Sequence, residues 1–399
     1  MPTKIAVKLQ TKKSPKLRFP GFSDAWEEKR LGEVVDFLKG IGIAKDDIVK
    51  NGKNRCIRYG ELYTEYNEII NEVKSRTNIS EKKSLLSKKN DVLLPSSGET
   101  ALDIARSSCI REDGILLGGD LNVLRLRKNQ DGIFFAYYLS NFQKIKIARI
   151  SQGHSVVHLY ASQLKNLKIN LPFYQEQQKI AGFLGVVDEW IENLKKQKEN
   201  FEAYKKGMMQ KIFSQEIRFK DDNGKAFLKW EEKKLSEICE IKKGKQLNRI
   251  ELSVSEGYPV INGGIEPSGF TDTWNTETNT ITISEGGNSC GFVNFIKENF
   301  WSGGHCYALS KVKKEADLNF LYQYLKFLQK KIMRLRVGSG LPNIQKKDID
   351  RLKLNFPELP EQQKIADFLT SIDKIIESKQ QQITQAEAWK RGLMQGLFV

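Results

Sequence analysis

A chain of 399 residues with 65 Lys and Arg against 49 Asp and Glu carries a formal charge of +16, which points to a polyanionic partner. Its 39% hydrophobic and 10% aromatic content supplies packed cores and excludes a disordered basic tail. No apolar run is long enough to cross a membrane and the five Cys form no Cys-x-x-Cys pair, so the sequence predicts a cytoplasmic protein without disulfide framework or zinc knuckle.

Residues 1–16 carry Lys4, Lys8, Lys12, Lys13 and Lys16 and read as a flexible basic leader. Residues 17–174 read as a globular module that opens on Leu17-Arg18-Phe19 and then WEEKRLGEVVDFLKG from Trp26 to Gly40. Residues 175–214 contain no Pro and place Ile180, Leu184, Val187, Ile191 and Leu194 in steps of three and four, which predicts a long helix with an apolar seam. A second module, 215–359, opens on Ile217-Arg218-Phe219 and WEEKKLSEICEIKKG from Trp230 to Gly244. Residues 360–399 begin with Pro360, suited to a first helical turn, and continue the seam pattern through Ile365, Leu369, Ile372, Ile376 and Ile383.

The chain is therefore a tandem repeat. The offset between copies is 204 at Trp26 and Trp230 and 185 at Leu167 and Leu352, so the middle of the first copy is 19 residues longer. Like frames with unlike middles are what two recognition modules for different targets require. Net charge is +11 over 1–174, +1 over 175–214, +4 over 215–359 and 0 over 360–399, which puts the basic surface on the modules and leaves the helices neutral. Two matched seams of this length need equally long partners. The expected fold is accordingly α+β, with two domains in tandem separated by two long helices that form an antiparallel coiled coil with pseudo-twofold symmetry.

Catalytic motifs are missing from the sequence. It has no Gly-x-x-x-x-Gly-Lys-Ser/Thr or Gly-x-Gly-x-x-Gly loop, no Asn-Pro-Pro-aromatic string and no Pro-Asp pair. His154-x-x-x-His158 has ligand spacing, but no Glu follows its first His and its segment is rich in β-branched residues. The chain is expected to bind rather than react, with no catalytic residue, cofactor or metal of its own.

The candidate contact surface combines cations with a polar turn. Arg125, Arg127, Lys128, Lys144, Lys146 and Arg149 precede Gln152-Gly153-His154 in the first module, and Lys330, Lys331, Arg334 and Arg336 precede Gly338-Ser339-Gly340 in the second. The 185 offset matches Gly153 to Gly338 and His158 to Asn343. Any one of these cations reads equally well as solvated helix face, and the matched placement is what favours contact. Lys and Arg would neutralise phosphates, while Gln152, His154, Ser339 and Asn343 have donors and acceptors for base edges.

The strings PFYQEQQKIAGFL and PELPEQQKIADFL, each opening a long helix after a module that starts RF and then W-E-E-K-x-L, resemble the DNA-specificity (S) subunit of Type I restriction-modification systems, from about Leu17 to Phe398. That resemblance implies two target-recognition domains, each reading half of a bipartite, asymmetric double-stranded DNA site. It implies helices that act as a ruler and as a docking surface for two modification (methyltransferase) subunits. S-adenosylmethionine, ATP and Mg would belong to those subunits and to the restriction (translocase and nuclease) subunits, where adenine methylation and ATP-dependent cleavage would occur. Glu176, Gln177, Gln178, Ile180 and Ala181, with Glu361, Gln362, Gln363, Ile365 and Ala366, match the family's helix entry as scaffold. The alternative open to the sequence is a non-enzymatic RNA-binding or protein-scaffold coiled-coil protein.

Overall fold

The computed structural model describes residues 14–399 apart from 154, 339 and 341, so most of the expected leader, together with His154 and Ser339, lies outside the described residues. The described chain divides into two compact units. Unit 1 takes the residues up to Leu194 together with Gln382–Val399, and unit 2 takes Lys195–Gln381. This division cuts across the linear segmentation expected from the sequence, because each unit takes in part of both long helices.

In unit 1 the chain's first strand, Glu27–Arg30, pairs antiparallel with Lys168–Leu171, tying the start of the module to its end. The main sheet contains β1 (Val35–Lys39), β2 (Val92–Pro95), β3 (Ser108–Ile110) and β4 (Leu121–Leu126) in the order β1-β4-β2-β3, with Ile69–Ile70 on its far edge. All four strands pair antiparallel, and the short edge strand is parallel to β3. Val92, Leu94 and Leu124 have no exposed surface, as suits near-continuous apolar strands in a two-sided core. The core on one face joins Trp26, Phe134, Tyr138 and Ile169 to Ile180 and Leu184 of the long helix α1 (Tyr174–Phe213).

Unit 2 repeats the plan. Glu231–Lys234 pairs with Lys353–Phe356, and the sheet runs β5 (Glu240–Lys243), β8 (Cys306–Ser310), β6 (Thr280–Ser284), β7 (Val293–Ile296). Its core joins Ile281, Phe320, Tyr324 and Leu354 to Ile212 and Phe213 at the end of α1 and to Ile365, Leu369 and Ile372 of α2 (Leu359–Leu397). The residue that follows the first strand of each sheet must be Gly. A Cβ on Gly40 would lie 1.8 Å from the Gly118 carbonyl oxygen, and one on Gly244 would lie 2.3 Å from that of Ser302. Of the 19 extra residues in the first copy, 15 fall between Ile57 and Pro95, compared with Ile261 to Ser284. They include the edge strand Ile69–Ile70, which the unit 2 sheet lacks among the described residues, whereas Arg76–Thr77 has its counterpart in Phe270–Thr271.

The apolar stripe of the helices does two jobs, which corrects the single seam expected for it. Ile180 and Leu184 are buried in the core of unit 1, and Ile365, Leu369 and Ile372, with half-buried Ile376 against them, belong to the core of unit 2. Only Val187, Ile191 and Leu194 form a separate helix-to-helix cluster, with Ile383 and Ala386 of α2 in unit 1. There Trp389 lies edge-on to Phe183 and Trp190, and Lys390 is 2.6 Å from Asp188. In unit 2 Lys205 Nζ is 2.6 Å from Asp373.

The helix-entry string owes its residues to specific bonds. Glu176, almost fully buried, accepts Nε and Nη2 of Arg18 at 2.9 and 2.8 Å. Gln177 accepts the Asp131 N–H at 3.0 Å and donates to the Pro172 carbonyl, while Asp131 caps the helix Gly132–Tyr137. In unit 2 Glu361 accepts Arg218, Gln362 accepts the Asp317 N–H at 2.8 Å and donates to the Pro357 carbonyl, and Asp317 caps Leu318–Phe327. Both carboxylates lie in a first helical turn, where the helix dipole favours negative charge.

Candidate nucleic-acid interface

Each unit places a short loop beside a Gly-containing turn at the end of an inner strand of its sheet. In unit 1 the backbones of Gln152 and His158 exchange two hydrogen bonds, 2.9 and 2.7 Å, closing the loop between them. In unit 2 Val337 and Asn343, 185 positions later, do the same at 2.8 and 3.0 Å. The loops begin on Gly153 (φ +123°) and Gly338 (φ +100°), and a Cβ on Gly153 would lie 2.0 Å from the Val156 carbonyl oxygen. Behind each loop runs the turn that leaves the second strand of the sheet. Val157–His158 pairs with Ser97–Gly98, and Asn343 bridges to Gly286. His158 Nδ1 is 3.2 Å from Ser97 Oγ. His158 therefore lies in a strand that closes the loop, not on a helix.

The sequence-predicted cations separate into two groups. Lys146 and Arg149 are exposed on the helix Lys144–Ile150, and half-buried Lys144 joins Tyr59, Tyr63, Ser97 and Arg106 in lining a cleft of about 540 Å³. Lys128 is exposed as well. Lys330, Lys331, Arg334 and Arg336 are exposed and make no ion pair among the described residues. Arg125 has an internal partner and needs correcting as a contact candidate, whereas Arg127 pairs with exposed Asp36 at the surface. Arg125 holds buried Asp91 through Nε at 3.0 Å and Nη2 at 2.7 Å, and Arg127 reaches Asp36 and the Glu33 carbonyl. A guanidinium committed to a buried carboxylate on its own sheet is not available to a phosphate. On the loops themselves Gln152 is exposed and Asn343 half-buried, its Oδ1 accepting from Gln345 at 3.1 Å.

Sequence reasoning missed the cluster behind the second loop. Glu285, largely buried, accepts Lys243 Nζ at 2.5 Å and Tyr307 OH at 3.0 Å, and its other oxygen is 3.4 Å from His305 Nδ1. Burial pushes the Glu285 carboxyl up, but Lys243, Tyr307 and His305 outweigh it and hold it below the usual carboxylate range. Among the described residues no three His, Cys, Asp or Glu side chains gather as a metal site, and no helix is long and apolar enough to cross a membrane.

A model of the Type I restriction modification DNA specificity domain matches residues 23–203 and 228–388. The chain is 26% identical to the Type I restriction enzyme MjaVIII specificity subunit of Methanocaldococcus jannaschii, over 95% of this chain and 92% of that protein. It is 29% identical to the putative MjaX specificity subunit of the same organism, over 69% of each chain. Among solved structures, the S subunit of a Type I restriction-modification system from M. genitalium has the same fold, with a TM-score of 0.68 over 97% of this chain and 99% of that one at 23% identity.

Proposed function

Because the chain belongs to the Type I restriction modification DNA specificity family, whose subject is recognition of a DNA target, we propose that it reads a bipartite, asymmetric double-stranded sequence, one half through each unit. The observation that carries this reading is the duplicated site: loop, turn and inner-strand end are built twice with matched backbone bonds and unmatched side chains. Lys128, Lys144, Lys146 and Arg149 in unit 1, and Lys330, Lys331, Arg334 and Arg336 in unit 2, neutralise phosphates, while Gln152 and Asn343 on the loops face base edges. The helices set the spacer and dock two modification subunits. Those subunits bind S-adenosylmethionine and methylate adenine, and restriction subunits using ATP and Mg join them in the cytoplasm. This chain supplies recognition and no catalytic group.

The test is a genome-wide map of adenine methylation with and without the gene. One bipartite motif is expected to lose its methylation on deletion. A map in which every motif persists would refute the reading, and preferential binding of folded RNA by the purified chain would replace it with a scaffold role.

A further inference from the structure

The two sheets share a frame in which equivalent stations carry different chemistry. Lys39 ends β1 opposite Asn122, and Lys243 ends β5 opposite Tyr307. The residue after the second strand, Ser96 or Glu285, donates its N–H to the carbonyl of Asp120 at 2.7 Å or of His305 at 2.9 Å. Asn122 Nδ2 donates to the Leu159 carbonyl at 2.8 Å, and Tyr307 OH donates to that of Ile344, 185 positions later, at 3.0 Å. The hydrogen-bond frame is thus matched in both copies, and Asp120 and His305 stand at one aligned position of it, where Asp120 alone has a left-handed backbone.

Both residues are exposed and each opens on a cleft of its own unit. Asp120 lines one of about 580 Å³ with Lys39 and His158. His305, with 62% of its side chain exposed, lines one of about 670 Å³ with Gln246 and Asn262. Asp120 adopts φ +58°, a left-handed conformation that Asp and Asn tolerate, which sets the direction of its Cα–Cβ bond. His305 is oriented differently, by the buried carboxylate of Glu285 on Nδ1, which leaves Nε2 facing outward.

We propose that Asp120 and His305 are the specificity-determining residues of their units, one station of a shared frame reading a different base edge in each half-site. A carboxylate only accepts hydrogen bonds, so Asp120 selects an exocyclic amino group in the major groove, on cytosine or adenine, with Lys39 holding the adjoining backbone or purine acceptor. An imidazole whose Nδ1–H is turned to Glu285 presents a single acceptor nitrogen, Nε2, in place of two acceptor oxygens, and so makes one contact where a carboxylate makes two. Glu285 and Tyr307 are positioning residues for it. This rests on the reading that each unit recognises one half of a DNA site.

The experiment expresses the full chain with its modification subunits in a host without adenine methylation and maps the methylated motif for wild type, Asp120→Asn and His305→Gln. Asn keeps the shape and the left-handed backbone while turning one acceptor into a donor. Each variant is expected to lose preference at one base position of one half, by roughly 5- to 150-fold, which is the range of a good base contact. The two variants should affect opposite halves. Competition between duplexes that differ at that base, measured on the purified complex, gives the same ratio independently of methylation rate. An unchanged motif at full methylation for both variants would overturn the proposal, as would uniform loss across all sites with the complex intact. If the wild-type chain yields no bipartite motif at all, the underlying reading fails instead.

Discussion

Glu361 has no exposed surface, and its oxygens are held by Arg218 at 3.1 and 2.6 Å and by the Trp230 indole at 3.1 Å. Arg218→Ala would strand that charge in the core of unit 2 and should cost about 3–5 kcal/mol, read as a lowered urea midpoint. Arg218→Met combined with Glu361→Met removes both charges and should recover part of the loss, and a single variant as stable as wild type would show that the pair is not buried in solution. The sequence made the entry string visible as a repeat but not its reason, because Glu361 meets a partner 143 positions earlier. Arg125 failed as a contact candidate for a related reason: nothing in its neighbours announces Asp91, which a strand pairing brings alongside. His305 belongs to no motif that the sequence singles out. The 185 offset that aligns the two loops also aligns it with Asp120, so the signal was there and only the strand ladders gave it meaning.

Periodicity predicted both long helices, since steps of three and four in a Pro-free stretch leave one apolar face to bury. It did not say against what. The same stripe fits a module core for its first turns and another helix afterwards, and both contacts demand the same residue types. Val187→Asp separates them, because Val187 packs on Ile383 and Ala386 rather than in the sheet core. It should destabilise unit 1 by several kcal/mol through burial of an unpaired carboxylate, while amides of β6 and β8 in unit 2 keep their protection from hydrogen exchange. Unaltered exchange in α1 would argue against a tight helix pair. The short strands were the least legible elements. Two-residue pieces such as Val157–His158 have no alternation to read and exist because a turn from elsewhere in the chain lies beside them.

Duplication made the overall plan legible, and the two offsets located the variation in the middle of each copy. The 15 extra residues of the first copy between Ile57 and Pro95 add the edge strand Ile69–Ile70 to unit 1 without disturbing the ladder beside it. If α1 and α2 act as a ruler, adding seven residues to each, between Leu194 and Met209 and between Ile372 and Ile383, adds two turns, about 10.5 Å, and should lengthen the DNA spacer by about three base pairs with both half-sites unchanged. A fully methylated motif with its original spacer would sink the ruler. The composition of unit 1 also bears on how the chain is made. Lys195–Gln381 is one continuous stretch and can close as soon as it leaves the ribosome, whereas unit 1 lacks Ile383, Ala386, Leu397 and Phe398 until those residues follow. At about 5–20 residues per second, the half made first waits roughly 10 to 40 s for its last pieces, with Val187 and Ile191 uncovered. The part translated first is thus the last to be completed, and a chain cut short after Gln381 holds all of unit 2 joined to a unit 1 that lacks Ile383 and Ala386.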